Sequence, residues 1–209
     1  RETKQVSEAT EDIISQVDIC FVIDTTGSMG PYIAQAQRRA REEAARIAAD
    51  GELDVRYAVV EYRDHPPQEN TFVARVYPFG DDAAFQGALS TLSAAGGGAG
   101  PEAVLDGLIE AAKLQWRPFA DKLCFLIGDS PPHGAGQRSQ WPEGCPCRAT
   151  PNGVVEMFGA QRIKLHAISI AGDSFTTKAF REMAEPVGGT CTEVASPMGA
   201  TASYGETLT

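Results

Sequence analysis

The stretch "VDICFVIDTTGSMGP", residues 17–31, decides how this chain is read. Its first eight residues are rich in β-formers, and Ile19, Cys20, Phe21, Val22 and Ile23 are apolar on both faces, as suits a parallel strand buried in a sheet. Asp24 ends the apolar run, and Thr26 and Ser28 follow at alternate positions. A tight turn held by Gly27 and Gly30 would aim all three side chains into one crevice. Hard cations such as Mg2+ take oxygen ligands and keep several waters, so hydroxyls and carboxylates from neighbouring loops suit them. The same three residues also suit a plainer role, turning the chain and capping the helix that Pro31 opens.

Outward from this stretch, strand and helix signals alternate. Val6, Ala9, Ile13 and Ile14 have helical spacing, which makes residues 1–16 a helical N-terminal extension. A long helix is expected from Pro31 to about residue 50, with Ile33, Ala36, Ala40, Ala44 and Ile47 on one face and Arg38, Glu42 and Arg46 paired on the other. Residues 53–64 read as a second strand and 71–79 as a third, joined by "HPPQEN" closely enough to run antiparallel. A helix over 81–94 breaks at "GGGAG" (96–100), and Pro101 opens another with Val104, Leu105, Leu108, Ile109 and Ala112 inward. "KLCFLIGD" (122–129) is a fourth buried strand that also ends on an aspartate, Asp129. Residues 130–152 are rich in Pro and Gly and lack periodicity, a long loop of the kind that carries function or disorder. Helices near 154–162 and 175–184 and strands at 164–172 and 189–195 complete one domain over 17–195, ahead of a polar tail at 196–209.

This alternation implies an α/β fold: a doubly wound, mostly parallel open sheet with one antiparallel edge strand and helices on both faces. Ligands bind such sheets outside the carboxyl ends of the strands. Asp24 and Asp129 both stand there, so they are expected as neighbours beside the point where the strand order reverses. With 209 residues, 43% of them hydrophobic, the chain can bury a full core unaided. Its formal net charge of -10 disfavours a nucleic-acid backbone or an anionic membrane as partner. No apolar run approaches the roughly 20 residues that span a bilayer. "RETKQVSEAT" is neither a signal peptide nor a basic tail, and the absence of an initial Met suggests a segment of a longer protein. Cys20, Cys124 and Cys191 lie in apolar or strand-like runs, where free thiols behave as small hydrophobes; a reducing, cytoplasmic location is expected.

The motifs match a family. "FVIDTTGSMG" resembles the first metal-binding loop of von Willebrand factor type A domains, patterned Asp, any, Ser/Thr, any, Ser. "FLIGDSPPHG" resembles the later loop that brings the second aspartate, and "GGGAGPEAVLDGL" lies between them where the family has its second loop. The resemblance runs from about residue 17 to 195 and implies a Rossmann-like fold with a metal-ion-dependent adhesion site. It implies that Asp24, Thr26, Ser28 and Asp129 hold Mg2+, Mn2+ or Ca2+, and that an Asp or Glu carboxylate from a protein partner completes the shell. A protein-binding module, and no enzyme, is what such a site implies. One departure matters: the second-loop ligand, a Thr or Asp in the family, falls on Ala99. Either water fills its place, or Thr91 or Ser93 reaches in, or the site is weakened and binds metal only in part; water is favoured because Mg2+ releases its hydration shell reluctantly.

Two other functions compete, a metal-independent interaction scaffold of the same fold and a metal-dependent hydrolase. An aspartyl nucleophile after a first strand needs a second acid two residues on, where Thr26 stands. There is no Walker A lysine motif and no nucleophile elbow, and "GGGAGPEAV" follows a helix-like segment, which spoils a dinucleotide reading. Asp64 and His65 follow the second strand and are candidate partner contacts or ligands, with a structural "RDHPP" turn as the alternative. Trp141 in the long loop is the candidate aromatic anchor for a partner, or else packs the loop onto the domain. His133, Cys145 and Cys147 offer three ligands to a soft metal such as zinc, one short of a structural site. Only Pro146 separates the two cysteines, too little for an unstrained disulfide.

Overall fold

The computed structural model describes residues 15–49, 53–98, 100–135, 141–170 and 174–194. Six strands form one sheet: β1 (Ser15–Asp24), β2 (Leu53–Tyr62), β3 (Ala74–Gly80), β4 (Asp121–Gly128), β5 (Ile163–Ile170) and β6 (Cys191–Val194). Their order is β3-β2-β1-β4-β5-β6, and every pairing is parallel except β2 with β3. The expected mostly parallel sheet with one antiparallel edge strand is therefore present. Because the chain leaves β1 in one direction for β2 and returns on its other side as β4, the order reverses between β1 and β4.

Five α-helices cover the two faces: α1 (Gly30–Ala48), α2 (Asp82–Thr91), α3 (Val104–Ala112), α4 (Pro151–Gln161) and α5 (Ser174–Ala184). The two-residue side-chain period of β1 sorts its residues between them. Val17, Ile19, Phe21 and Ile23 pack with Ala36 and Ala40 of α1 and Phe85 and Leu89 of α2. Cys20 and Val22 pack with Leu105 and Leu108 of α3, Phe158 of α4 and Phe180 of α5. Phe21 stacks between Phe85 and Phe125, with ring centroids 5.4 and 5.3 Å away. Replacing such a ring by Ala typically costs about 3–5 kcal/mol, because neither face has water to refill the hole.

Several element ends differ from the sequence reading. β1 begins at Ser15, so Ser15 and Gln16 belong to the sheet; the rest of the expected N-terminal extension and the tail at 196–209 lie outside the described residues. On α1, Ala36 and Ala40 are buried and Ile33 is partly so, while the side chains of Glu42, Ala44, Arg46 and Ile47 are outside the description. α2 stops at Thr91 because Leu92 turns extended, and Gln37 donates to the carbonyls of Leu89 and Leu92. α3 starts at Val104, three residues after Pro101, because the intervening backbone is bonded elsewhere. Glu102 N–H donates to Pro131 O at 3.0 Å and Ala103 N–H to Arg63 O at 2.9 Å. α4 starts at Pro151 under a Thr150 cap, whose hydroxyl accepts from Gly153 N–H.

The amino-terminal end of the sheet carries a buried ion network. Asp18 of β1 is wholly buried, and each of its carboxylate oxygens accepts twice, from Arg56 Nε and Nη2 and from Arg117 Nε and N–H, at 2.7–3.0 Å. Burial pushes its carboxyl up, but the bonds from Arg56 and Arg117 outweigh this and hold it below the usual carboxylate range. Among the described residues no helix is long and apolar enough to cross a membrane.

Candidate metal centre

The opposite, carboxyl-terminal end of the sheet gathers the acids. Asp24 is the last residue of β1, and Asp129 follows the last residue of the adjacent β4. Thr26 donates its backbone N–H and its hydroxyl to Asp24 Oδ1, at 2.8 and 2.6 Å, and its hydroxyl lies 3.2 Å from Ser28 Oγ. The three predicted oxygen-bearing residues thus line up through one hydrogen-bonded chain. A short 3-10 turn, Gly27–Met29, then leads into α1, with Met29 fully buried beneath it as an anchor.

The glycine-rich second loop lies directly on this turn. Gly27 N–H donates to Gly96 O and Ala95 N–H to Thr25 O, both at 3.0 Å. Gly97 has φ of +73°, and a Cβ there would stand 2.9 Å from Thr26 Cβ and 3.1 Å from Glu102 Oε1, so only glycine permits the approach. Ala99 lies outside the described residues. Thr91, an expected substitute ligand, is engaged elsewhere: its hydroxyl lies 2.7 Å from Ala88 O and 3.0 Å from Tyr77 Oη at the end of α2. Ser93 is exposed, with its carbonyl bound by Arg63.

Two site residues were not anticipated. Glu102 is buried, and its Oε2 has no hydrogen-bond partner; Asp24 Oδ2 and the hydroxyl of Tyr62, the last residue of β2, are likewise buried and unpartnered. Burial, and then the charge of Asp129, pushes the Asp24 carboxyl up to about 7, although its bonds from Thr26 pull the other way. Burial pushes Glu102 further, to about 10, with Asp24, Asp64 and Asp129 adding repulsion. Buried polar atoms are nearly always satisfied, so unpaired oxygens among crowded carboxyls make a donor set that fits a hard divalent cation. The sequence signal for Glu102 was weak, since a glutamate after a proline reads as an ordinary first helical turn.

Asp64 and His65, expected as partner contacts, are turned inward. Asp64 is 2% exposed, with its Oδ1 2.7 Å from His133 Nε2 and 2.6 Å from its neighbour's N–H. His65 is buried, with Nε2 3.0 Å from Asp106 Oδ2 and 3.1 Å from Cys145 Sγ. Trp141 is half-buried and sets its ring edge-on to both histidines, with centroids 5.9 Å from His65 and 4.6 Å from His133. This packs the loop onto the domain. His133 is thereby committed to Asp64, and the residues that meet Cys145 and Cys147 are His65 and Asp106.

Comparison with known proteins agrees with this architecture. The family model described as von Willebrand factor A domain matches residues 18–140, more than half of the chain. The chain belongs to the von Willebrand factor A domain family. Such domains are generally protein-interaction modules. This one is 31% identical over 144 residues to alpha-protein kinase vwkA of Dictyostelium discoideum, covering 66% of this chain and 22% of that protein. It is 32% identical over 124 residues to von Willebrand factor A domain-containing protein 7 of Rattus norvegicus, covering 59% of this chain and 13% of that one. The chain thus spans less than a quarter of the length of either relative. Among solved structures it is similar to the pilus adhesin SpaC of Lactobacillus rhamnosus GG, with TM-score 0.70 and 14% identity over 93% of this chain and 30% of that one. It is also similar to a von Willebrand factor type A protein from Catenulispora acidiphila, with TM-score 0.62 and 22% identity over 92% of this chain and 42% of that one. Both structural likenesses speak for the fold.

Proposed function

We propose that this von Willebrand factor A domain binds a protein partner through a divalent cation, Mg2+ or else Mn2+ or Ca2+. Asp24, Thr26, Ser28 and Asp129 would hold the ion, and an Asp or Glu carboxylate of the partner would complete its shell. The observation that carries this reading is the unpartnered Oδ2 of Asp24, buried beside the equally unpartnered Oε2 of Glu102. A bound cation would supply positive charge that neutral hydroxyls leave undiminished, and so attract a carboxylate. The chain's own part is to fix Thr26 and Ser28 through Asp24, and to bury the acids so that their charge is poorly screened. We read the domain as a binder and no enzyme, since Thr26 stands where an aspartyl nucleophile needs its second acid. Cytoplasmic location belongs to the same proposal, supported by the free, buried thiols of Cys20 and Cys124.

A metal-independent scaffold is the second reading, favoured by the Thr26 N–H bond to Asp24 Oδ1, which any Asx turn makes. Thermal melts of the parent and of Asp24→Ala, in chelator and in millimolar Mg2+, separate the two. A cation held only by the folded state at a hundred times its dissociation constant adds about 2.7 kcal/mol, so the parent should melt higher in Mg2+ and the variant should not respond. No response to Mg2+, Mn2+ or Ca2+, together with a loss of about 0.5–2 kcal/mol for Asp24→Ala in chelator, would establish the turn-and-cap reading.

A further inference from the structure

Separate from the oxygen-lined centre, four side chains from three distant segments converge. His65 follows β2, Asp106 lies in α3, and Cys145 and Cys147 come from the long loop before α4. Their ligand atoms all lie within 4.8 Å of one another. His65 Nε2, Cys145 Sγ and Cys147 Sγ stand 3.0, 3.1 and 3.4 Å from a single atom, Asp106 Oδ2. The two sulfurs are 2.9 Å apart, well beyond the roughly 2.05 Å of a disulfide. Three groups crowding one carboxylate oxygen is an uneconomical way to satisfy hydrogen bonds, and a natural way to surround one ion.

We propose that His65, Asp106, Cys145 and Cys147 form a tetrahedral structural zinc site. Zinc takes sulfur at about 2.3 Å and nitrogen or oxygen at about 2.0–2.2 Å, so the ligand atoms of a filled site lie roughly 3.3–3.8 Å apart. The close pairs, at 2.9–3.4 Å, must open to reach this, the two sulfurs the most, by about 0.9 Å, while the whole set already lies within 4.8 Å. Two thiolates with an imidazole and one carboxylate select zinc over Mg2+ or Ca2+, which require oxygen. Four protein ligands close the shell, which marks a structural role and not a catalytic one. Ala149 N–H points at Cys147 Sγ from 3.4 Å, the kind of donor that steadies a thiolate. Cys147 is exposed while His65 and Cys145 are buried, so the site has an inner wall and an open side through which an ion can load.

The consequence is mechanical. The segment around Cys145 contributes no strand to the sheet, and the zinc would staple it to α3 and to the turn after β2. Asp64, bonded to His133 and bearing directly on Glu102, is the residue immediately before the ligand His65, so the staple also fixes one wall of the oxygen-lined centre. The zinc proposal does not depend on that centre holding a cation.

The test is elemental analysis of the chain produced in zinc-supplemented medium and dialysed, beside titration of the stripped protein with Co2+. Equimolar zinc, and the thiolate-to-metal charge-transfer absorption of tetrahedral Co2+, are expected. Cys147→Ser, at an exposed position where folding is not at stake, should bind Co2+ at least about tenfold more weakly, as should Asp106→Asn. Asp24→Ala should retain its zinc, which keeps failure of the two metal readings distinguishable. Folded parent protein that carries no zinc and gives no Co2+ absorption would overturn the proposal. So would zinc retained undiminished by both Cys147→Ser and Asp106→Asn, or a Cys145–Cys147 disulfide found by mass spectrometry in protein kept under reducing conditions.

Discussion

Thr26 closes both its N–H and its hydroxyl on one oxygen of Asp24, Oδ1, and leaves Oδ2 buried without a partner. The carboxylate is therefore oriented by the turn it belongs to, while half of its bonding capacity is directed at something else. Around the Asp24 carboxyl stand the Tyr62 hydroxyl, which bears on it as a donor, and the acids Glu102 and Asp129; none of the three can offer it a positive charge.

Glu102→Gln should make the metal-free protein more stable at pH 8, because the parent must take up a proton on this carboxyl in order to fold whereas Gln is neutral in both states. The pH dependence gives the sign. With its folded value raised from 4.5 to about 10, Glu102 makes the native state the better proton binder across that window. Stability from this group is present below the lower value and is lost as pH rises towards the upper one. Urea melts in chelator between pH 5 and pH 9 should fall more steeply for the parent than for Glu102→Gln. Parallel curves would mean that Glu102 does not feel Asp24, Asp64 and Asp129 as described.

Gly128→Ala should destabilise the fold by about 1–3 kcal/mol, the usual cost of overpacking. A Cβ at Gly128 would fall 2.4 Å from the Tyr62 hydroxyl and 3.4 Å from Asp24 Cβ. Tyr62→Phe removes the clashing oxygen, so the double variant should recover much of the deficit. Strict additivity in a double-mutant cycle would show that the two residues do not touch.

Asp18→Asn should cost about 3 kcal/mol at neutral pH, the low end for breaking a buried ion pair because Arg56 keeps some contact with water. Its folded value is depressed, so its contribution is present above the unfolded value near 3.9 and is lost as pH falls below that. The gap between parent and variant should hold steady from pH 7 to about pH 5 and close on further acidification. A gap that widens in acid would contradict the paired-carboxylate description.

The pairing of Asp24 with Asp129 was legible because both end apolar runs that alternate with helices, a pattern that only a buried parallel sheet satisfies. Glu102 was not, because its extended backbone depends on Pro131 and Pro132, which lie thirty residues away along the chain. Asp106 was hidden for the same reason: on α3 it looks like any polar helical residue, and its partners lie 41 residues upstream and 39 downstream. His133 shares a loop with the cysteines, yet folding gives it to Asp64 and puts His65 beside Cys145. Spacing within a segment reveals a turn; it says nothing about which distant loop the sheet will bring alongside.

The loops at the carboxyl end of the sheet are sewn to one another through their backbones: Thr25 to Ala95, Gly27 to Gly96, Arg63 to Ala103, and Glu102 to Pro131. Across these bonds the described loop segments are braced against one another. A partner that docks on braced segments has less backbone to freeze, so less conformational entropy opposes the encounter, and in those segments free and bound backbones should superimpose within about 1 Å. Selectivity among partners would then reside in how long each complex survives more than in how fast it forms.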